Sequence, residues 1–110
     1  MIIFIVKLIV SPTDRKNAIN VFDAVSGSTS VKPGCKMVEL QSDVHNDDNL
    51  ILIEKWDSMA ELEKHISSDE FRKIMAIMEM AVEQPEVFFH TVSSTMGFEL
   101  VKKIRNNVNM

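Results

Sequence analysis

The 110-residue sequence contains no tyrosine, one tryptophan, one cysteine and only three glycines and three prolines. The single cysteine, Cys35, cannot form an internal disulfide, so a reducing compartment, the cytoplasm, is expected. The glycines form neither a phosphate-binding loop nor a nucleophile elbow. The three histidines and the cysteine are too scattered to make a metal-binding motif, so no metal site is expected.

The sequence also lacks an excess of basic residues and an apolar run long enough to span a membrane. The formal net charge is −4, which argues against non-specific binding to nucleic acid, since that needs a basic surface. The most apolar stretch, residues 1–10, is interrupted by Lys7 and is half as long as the roughly 20 residues that span a bilayer. It is predicted to be a buried strand, and no membrane partner is expected.

Soft apolar side chains are what the sequence has in quantity. Eight Met and six Phe accompany a hydrophobic fraction of 45%, and without tyrosine the interior is almost free of buried hydroxyls. Such an interior suits an apolar cavity, because methionine side chains fill irregular space. The length and composition predict a single globular domain.

The stretch from Leu50 to Phe71 organises the predicted fold. Residues 50–53 are all apolar, which is typical of a strand buried on both faces. Trp56 ends that strand, and Ser58 and Glu61 have the form of a capping box, which predicts the start of a helix. This helix carries His65 beside its apolar side, so Trp56 and His65 are predicted to meet over one cavity.

The remaining elements complete a known pattern. The predicted order is strand 2–10, helix 11–26 ended by Gly27, strand 35–44, the central strand 50–56, a short helix, a long helix 69–83 and strand 86–94. That order predicts an α+β fold of ferredoxin-like type, a split βαβ arrangement with an antiparallel four-stranded sheet and helices on one face, over residues 1–94. Because two strands have the pattern of burial on both faces, a second copy is expected to cover the open face as a homodimer.

Residues 95–110 are predicted to form a separate C-terminal tail. Phe98, Val101, Ile104 and Val108 lie at helical spacing, opposite basic residues. A docking arm on the partner subunit or a partly frayed helix is expected rather than a helix on a membrane surface.

Several motifs, taken in order, resemble the antibiotic biosynthesis monooxygenase domain family. They are Pro33-Gly34-Cys35, the strand end Glu54-Lys55-Trp56, the helix segment from Ala60 to His65, and Ser68-Asp69-Glu70-Phe71. The family pattern is a P-G-C turn, a strand ending in E-x-W, a helix ending in A-L-x-x-H and then S-x-x-F. The resemblance covers about residues 1–94 and implies the dimeric α/β barrel, in agreement with the dimer expected from strand burial.

The family includes cofactor-independent oxygenases of polycyclic aromatics and quinols, haem-degrading enzymes and many proteins with no established activity. Some of those oxygenases use an Asn, a Trp and a Tyr near the substrate, and this chain has no Tyr to act as a phenolic proton relay. The haem-degrading members carry a Trp where His65 stands and a haem-ligating His where Met75 stands. The resemblance therefore implies no haem degradation by that scheme, and no cofactor is expected.

His65 is the candidate catalytic residue. A neutral imidazole near neutral pH can remove a phenolic proton, and the alternative is a satisfied histidine of the core. Trp56 either stacks on a ligand or only packs in the core. Glu54 could orient the imidazole, although a strand-end charge paired with Lys or Arg is the favoured interpretation. The candidate ligand-binding residues are Trp56, Phe71, Met75 and His90. Of these, Trp56, Phe71 and Met75 are predicted to line one cavity with His65, and His90 the cavity or the dimer seam.

Two functions stay open at this point. The first is a cofactor-independent monooxygenase acting on a small planar aromatic, phenol or quinol substrate, with His65 as base and Trp56 as stacking wall. The second is a non-catalytic module of the same fold that binds a small apolar or aromatic ligand or regulates a partner. The His and Trp motif favours the first function, whereas the absence of Tyr and the few polar residues near the predicted cavity favour the second.

Overall fold

A computed structural model describes residues 1–108 of the chain, which form one sheet and four helices. The elements in chain order are β1 (Ile2–Ile9), α1 (Arg15–Ser30), β2 (Cys35–Ser42), β3 (Asn49–Trp56), α2 (Met59–Ile66), α3 (Asp69–Glu79), β4 (Glu86–Thr91) and α4 (Phe98–Val108). The strands lie in the order β2-β3-β1-β4, and each neighbouring pair is antiparallel. This is the α+β ferredoxin-like fold that the sequence predicts.

The core lies between one face of the sheet and the helices α1 and α3. Alternate residues of β1 and β3 point to this face, because successive side chains of a strand point to opposite sides. The core residues shared by these four elements are Phe4, Val6, Leu8, Ala18, Phe22, Val25, Leu50, Leu52, Phe71, Ile74 and Ile77. A smaller cluster of Ile2, Trp56 and Leu62 extends the core towards α2.

The other face of the sheet is open within one copy of the chain. Ile3 and Ile5 of β1 and Ile51 and Ile53 of β3 lie on it and are half-buried. Phe88 of β4 pairs with Ile5 and lies on the same face, 38% exposed. The burial on both faces that the sequence predicts for β1 and β3 is therefore complete on only one of them.

The two helices after β3 begin at the predicted caps. Ser58 accepts a hydrogen bond from the backbone N–H of Glu61 at 3.3 Å. Ser68 accepts one from the N–H of Phe71 at 3.4 Å. Each serine satisfies a donor that the first helical turn would otherwise leave unpaired, so the short loop between α2 and α3 is fixed at both ends.

Several predicted ends of helices and strands are wrong by a few residues. Gly27 does not end α1, which continues to Ser30 because Thr29 is fully buried and the hydroxyl of Ser30 bonds to the carbonyl of Gly27 at 2.9 Å. α3 ends at Glu79 instead of residue 83, since the N–H of Val82 donates to Ile9 of β1 at 2.9 Å. β2 and β4 are each shorter than predicted.

α4 lies apart from the core. None of its residues from Phe98 to Val108 is buried, and the chain has a radius of gyration of 16.7 Å, against roughly 13 Å for a compact domain of this length. The last two residues of the predicted tail lie outside the described residues. In the described part of the chain, no helix is long and apolar enough to cross a membrane.

Candidate functional site

The end of β3 places a carboxylate and an indole side by side in the core. Glu54 and Trp56 are two residues apart, so both point to the helix side of the sheet, and both are fully buried. The indole N–H of Trp56 donates to Oε1 of Glu54 at 2.9 Å. The interpretation of Glu54 as a strand-end charge paired with Lys or Arg is therefore wrong, since its partners are Trp56 and His65.

α2 brings His65 onto this pair. His65 lies on the same helical side as Leu62, and both are buried. Its ring stacks on Trp56 with centroids 4.8 Å apart and an interplanar angle of 27°. Phe71, from the start of α3, meets the His65 ring edge-on at 5.6 Å and 88°. Three aromatic rings therefore fill the space between β3, α2 and α3.

Both ring nitrogens of His65 have polar partners. Nε2 lies 3.1 Å from Oε1 of Glu54, and Nδ1 lies 3.2 Å from Nζ of Lys32. A carboxylate can only accept a hydrogen bond and an ammonium can only donate one. Nε2 therefore carries the proton and Nδ1 keeps its lone pair, so both neighbours select the same neutral tautomer of His65.

Lys32 connects this buried pair to the surface. Its Nζ lies 3.0 Å from Oγ of Ser68 and 3.0 Å from Oε2 of Glu70. The side chains of Lys32 and Glu70 are 22% and 30% exposed. The hydrogen bond from Lys32 is the largest cause that holds the pKa of Glu70 at about 2, well below its usual value. The carboxyl of Glu70 is thus ionised at neutral pH.

These contacts form one continuous polar chain, which runs Trp56–Glu54–His65–Lys32–Glu70. Among the described residues, His65 is the only salt-bridge partner of Glu54. A buried carboxylate without a full counter-charge loses several kcal/mol of solvation, and two hydrogen bonds recover only part of it. A proton arriving at Nδ1 would turn His65 into that counter-charge, and Nδ1 would then have to exchange its hydrogen bond from Lys32 for one to the proton donor.

A pocket of about 220 Å³ opens beside the outer end of this chain. Its lining residues are Lys32, Pro33, Trp56, Glu61, Lys64 and His65. The turn that carries Lys32 is held against α2, because Gly34 adopts a φ of +84° and approaches Glu61 so closely that a Cβ would lie 2.6 Å from its side chain. The N–H of Asp57 also donates to the carbonyl of Gly34 at 2.8 Å.

A second pocket, of about 270 Å³, lies at the opposite end of β1 and β3. It is lined by Lys7, Leu8, Ile9, Asp43, Asn49, Leu50, Ile51, Glu83, Gln84 and Glu86. Although it is larger, it has no aromatic wall and touches none of the residues of the polar chain. The pocket beside Lys32 is therefore the better candidate for a site that binds an aromatic ligand.

The predicted single cavity lined by Trp56, His65, Phe71 and Met75 is not formed. The first three residues pack ring against ring and leave no space between them. Met75 is 48% exposed on α3, because the core side of that helix is taken by Phe71, Ile74 and Ile77. Trp56 and His65 line the surface pocket instead, and Phe71 supports His65 from behind.

His90 lies far from this group, on the open face of the sheet. It pairs with Ile3 across the strands and stacks on Phe88 with ring centroids 5.7 Å apart. It is exposed in one copy of the chain, so only its alternative prediction, a place at a dimer seam, agrees with its position. The functional roles of all five predicted site residues stay predictions.

Lys32, Ser68 and Glu70 belong to the site, although the sequence does not predict them as site residues. The contact of Lys32 with His65 spans 33 residues, and no local pattern marks a lysine before a Pro-Gly turn.

Cys35, beside this turn, has a raised pKa because burial disfavours the thiolate and the carboxylate of Glu54 adds to the effect. Its thiol is therefore a poor nucleophile. Within residues 1–108, no group of three His, Cys, Asp or Glu could hold a metal ion.

Comparisons with known proteins identify the family and agree with the fold. The family described as antibiotic biosynthesis monooxygenase matches residues 1–77. No curated protein sequence gives a significant match. Among solved structures, a conserved protein from Methanosarcina mazei is similar with a TM-score of 0.75 and 23% identity, over 81% of this chain and 89% of its own.

Two further structures are similar to this fold. One, described as an antibiotic biosynthesis monooxygenase, has a TM-score of 0.76 and 19% identity, over 86% of this chain and 100% of its own. The other, Rv0793 from Mycobacterium tuberculosis, has a TM-score of 0.77 and 18% identity, over 87% of this chain and 98% of its own. At these identities the likeness shows the shared fold.

Proposed function

The chain belongs to the antibiotic biosynthesis monooxygenase family, and from that premise we propose that it is a monooxygenase that acts on a small phenol or quinol without a bound cofactor. In this proposal His65 is the general base and Trp56 is one wall of the site. The family match supports the monooxygenase class, and the polar chain around His65 supports the choice of base.

The observation that carries the proposal is the buried pair of Glu54 and His65. Well-packed apolar residues in place of a buried ion pair are often neutral or stabilising, so stability alone does not require this pair. Glu54 holds the proton on Nε2 at 3.1 Å and would stabilise the imidazolium formed when Nδ1 takes a proton. A carboxylate that orients and supports a basic histidine is a recurring arrangement in catalysis.

The chemistry follows from removal of one proton. A phenolate or an enolate is electron-rich enough to react with molecular oxygen without a metal. For a two-ring hydroquinone, one oxygen atom becomes a new hydroxyl on the ring, the other leaves as water with two hydrogens of the substrate, and the ring is oxidised to a hydroxyquinone. The protein then has to hold the ring, remove the first proton and return it.

The pocket limits the size of the substrate. Its volume of about 220 Å³ is below the roughly 300–1,000 Å³ of sites for drug-sized ligands. A molecule of one or two rings is therefore the expected substrate, bound against Trp56 and Pro33. Larger polycyclic compounds would need movement of the turn at Gly34.

Oxygen uptake tests this function. The wild-type protein is incubated with a panel of one-ring and two-ring hydroquinones, with metals chelated, beside His65→Gln, which keeps a similar volume and a donor for Glu54 but is not basic. Loss of the general base should lower the rate about 100- to 10,000-fold. His45→Gln is the matched control, because His45 is exposed in the loop before β3, and it should keep the wild-type rate.

Equal rates for the wild type and His65→Gln would contradict the assignment of His65 as the base.

A second function has its own support, because in the structure His65 is buried and both its nitrogens are already bonded. If no substrate of the panel is oxidised but one binds tightly, the protein is a non-catalytic module that holds a small aromatic ligand.

The proposal includes a homodimer and a reducing compartment, the cytoplasm. The apolar residues on the open face of the sheet and the uncovered helix α4 support the dimer, because exposed apolar patches of this kind mark interaction surfaces. The free thiol of Cys35 supports the compartment.

A further inference from the structure

We infer that Lys32 is a second substrate-binding residue of this site and holds the oxyanion that forms when the hydroxyl of the substrate gives its proton to His65. The hydroxyl inserts between Nδ1 of His65 and Nζ of Lys32, gives its proton to Nδ1, and keeps Lys32 as the partner of its negative oxygen. This inference rests on the proposed function and names a second residue for the same site.

The contacts of Lys32 show which of them can be replaced. Its three protons go to Glu70, Ser68 and Nδ1 of His65, and the first two distances are 3.0 Å while the third is 3.2 Å. Hydrogen bonds between two charged groups are stronger than those to a neutral partner. Glu70 therefore keeps Lys32 at the mouth of the pocket when the neutral imidazole exchanges Lys32 for a ligand.

The charges along the chain favour the ionised ligand once the proton has moved. The order becomes Glu54 carboxylate, His65 imidazolium, ligand oxyanion, Lys32 ammonium and Glu70 carboxylate, so each charge lies between charges of the opposite sign. Before the transfer, the buried Glu54 has no full counter-charge among the described residues. The transfer supplies one at His65, while Lys32 stabilises the new oxyanion electrostatically.

This geometry predicts a class of ligands that bind in the pocket but cannot be ionised there. An aryl methyl ether has a ring that Trp56 and Pro33 can hold, but it has no proton to give to Nδ1. The pocket should therefore bind phenols and their methyl ethers with similar packing and ionise only the phenols. Lys64, which is 77% exposed, is too solvated to replace Lys32 in this role.

The test uses para-nitrophenol, whose anion absorbs visible light, and para-nitroanisole, its methyl ether. Each compound is titrated into the wild type, Lys32→Arg and Lys32→Met, and binding is followed by the fluorescence of Trp56, the only tryptophan. In the wild type, bound para-nitrophenol should ionise about one pH unit or more below the free compound, since an adjacent cation stabilises the anion.

Lys32→Arg should keep this shift, because it keeps the positive charge. Lys32→Met should still bind the ether, because the ether forms no anion for Lys32 to stabilise, and it should lose the shift for the phenol. An equal ionisation shift in Lys32→Met and the wild type would overturn the inference, and so would failure of the wild type to bind either compound. Circular dichroism and urea unfolding of each variant show that the fold is intact.

The outcome is independent of the test for oxygen uptake. An ionisation shift that depends on Lys32, without oxygen uptake, would support this inference and remove the monooxygenase proposal. Oxygen uptake that depends on His65, with an ionisation shift that does not depend on Lys32, would support the monooxygenase proposal and overturn this inference.

Discussion

At the scale of the residue, His65 has two polar partners that impose the same tautomer. Glu54 accepts from Nε2 at 3.1 Å, and Lys32 donates to Nδ1 at 3.2 Å. The stacked Trp56 and the edge of Phe71 hold the ring in one plane. In the proposed reaction, the imidazole therefore keeps its orientation when Nδ1 takes a proton, which avoids a reorganisation cost.

Glu70 should make stability depend on pH in the acid range. Its pKa is lowered to about 2 in the folded chain, against a value of 4.5 without its partners, chiefly by the hydrogen bond from Lys32. A lowered pKa gives stability that is present above 4.5 and is lost as the pH falls from about 4.5 to about 2. Urea unfolding at several pH values in that window should show a steeper loss for the wild type than for Glu70→Gln.

Glu63→Gln is the matched control, because Glu63 is an exposed carboxylate on α2. It should keep the steep loss of the wild type. If Glu70→Gln and the wild type lose stability in parallel over this window, the ion pair with Lys32 does not form in solution.

The residues of the site differ in how far the sequence predicts them. Trp56 and His65 are marked by the strand end and by the helix that follows at once, since both lie in one local motif. Lys32 reaches the site only through the tertiary fold, because it lies 33 residues from His65 and 38 residues from Glu70 along the chain. The prediction that Met75 lines a cavity rests on helical spacing, which cannot distinguish the centre of the buried side of a helix from its edge, where Met75 lies.

At the scale of the element, the turn at Gly34 positions the site. Gly34 lies against the N-terminal part of α2, where a Cβ would lie 2.6 Å from Cβ and Cγ of Glu61, and Lys32 reaches His65 near the other end of the same helix. Gly34→Ala should lower the free energy of unfolding by more than about 2 kcal/mol, because a non-glycine residue at this φ costs about 1–2 kcal/mol and the contact adds to it. Urea unfolding monitored by circular dichroism measures the change.

Gly27→Ala makes the opposite prediction within the same chain. Gly27 lies inside α1, and nothing lies within 4 Å of the Cβ that alanine would add. Alanine there should raise the free energy of unfolding by about 0.5–1 kcal/mol. A neutral Gly34→Ala variant would show that the turn does not press against α2 as described.

The starts of α2 and α3 can be predicted from the sequence, whereas α1 begins at Arg15 and not at the predicted residue 11, and the ends of α1 and α3 also differ from the prediction. Ser58 and Ser68 cap α2 and α3 as predicted, since a cap depends on residues three positions apart. The ends of α1 and α3 depend on tertiary contacts, namely the burial of Thr29 and the bond of Val82 to β1. Such contacts leave no local signal.

At the scale of the whole molecule, one copy leaves apolar surface uncovered on both sides of β4. Phe88 on the open face and Phe89 on the helix face are 38% and 47% exposed. β1 and β3 are apolar on both faces, and the apolar residues of the second face have no cover in a single chain. The sequence could therefore predict the fold of the subunit, and it could only indicate that a partner covers the rest.

We expect a homodimer at micromolar concentration. Light scattering should give twice the mass of the chain for the wild type. Ile53→Lys, which places a charge at the centre of the open face, should give the mass of one chain, because burying an unpaired ammonium costs several kcal/mol. Val44→Lys, at a loop position that is 92% exposed, should stay dimeric, and a monomeric wild type would contradict the expectation.

The most direct measurement of the central claim is nitrogen NMR of the labelled histidines, recorded before and after para-nitrophenol is added. The free protein should show His65 as the neutral tautomer with its proton on Nε2, which Glu54 and Lys32 select. The complex should show both nitrogens of His65 protonated, with His45 and His90 unchanged. A proton on Nδ1 in the free protein, or a His65 that stays neutral when the phenol is bound and ionised, would contradict the assignment of His65 as the base.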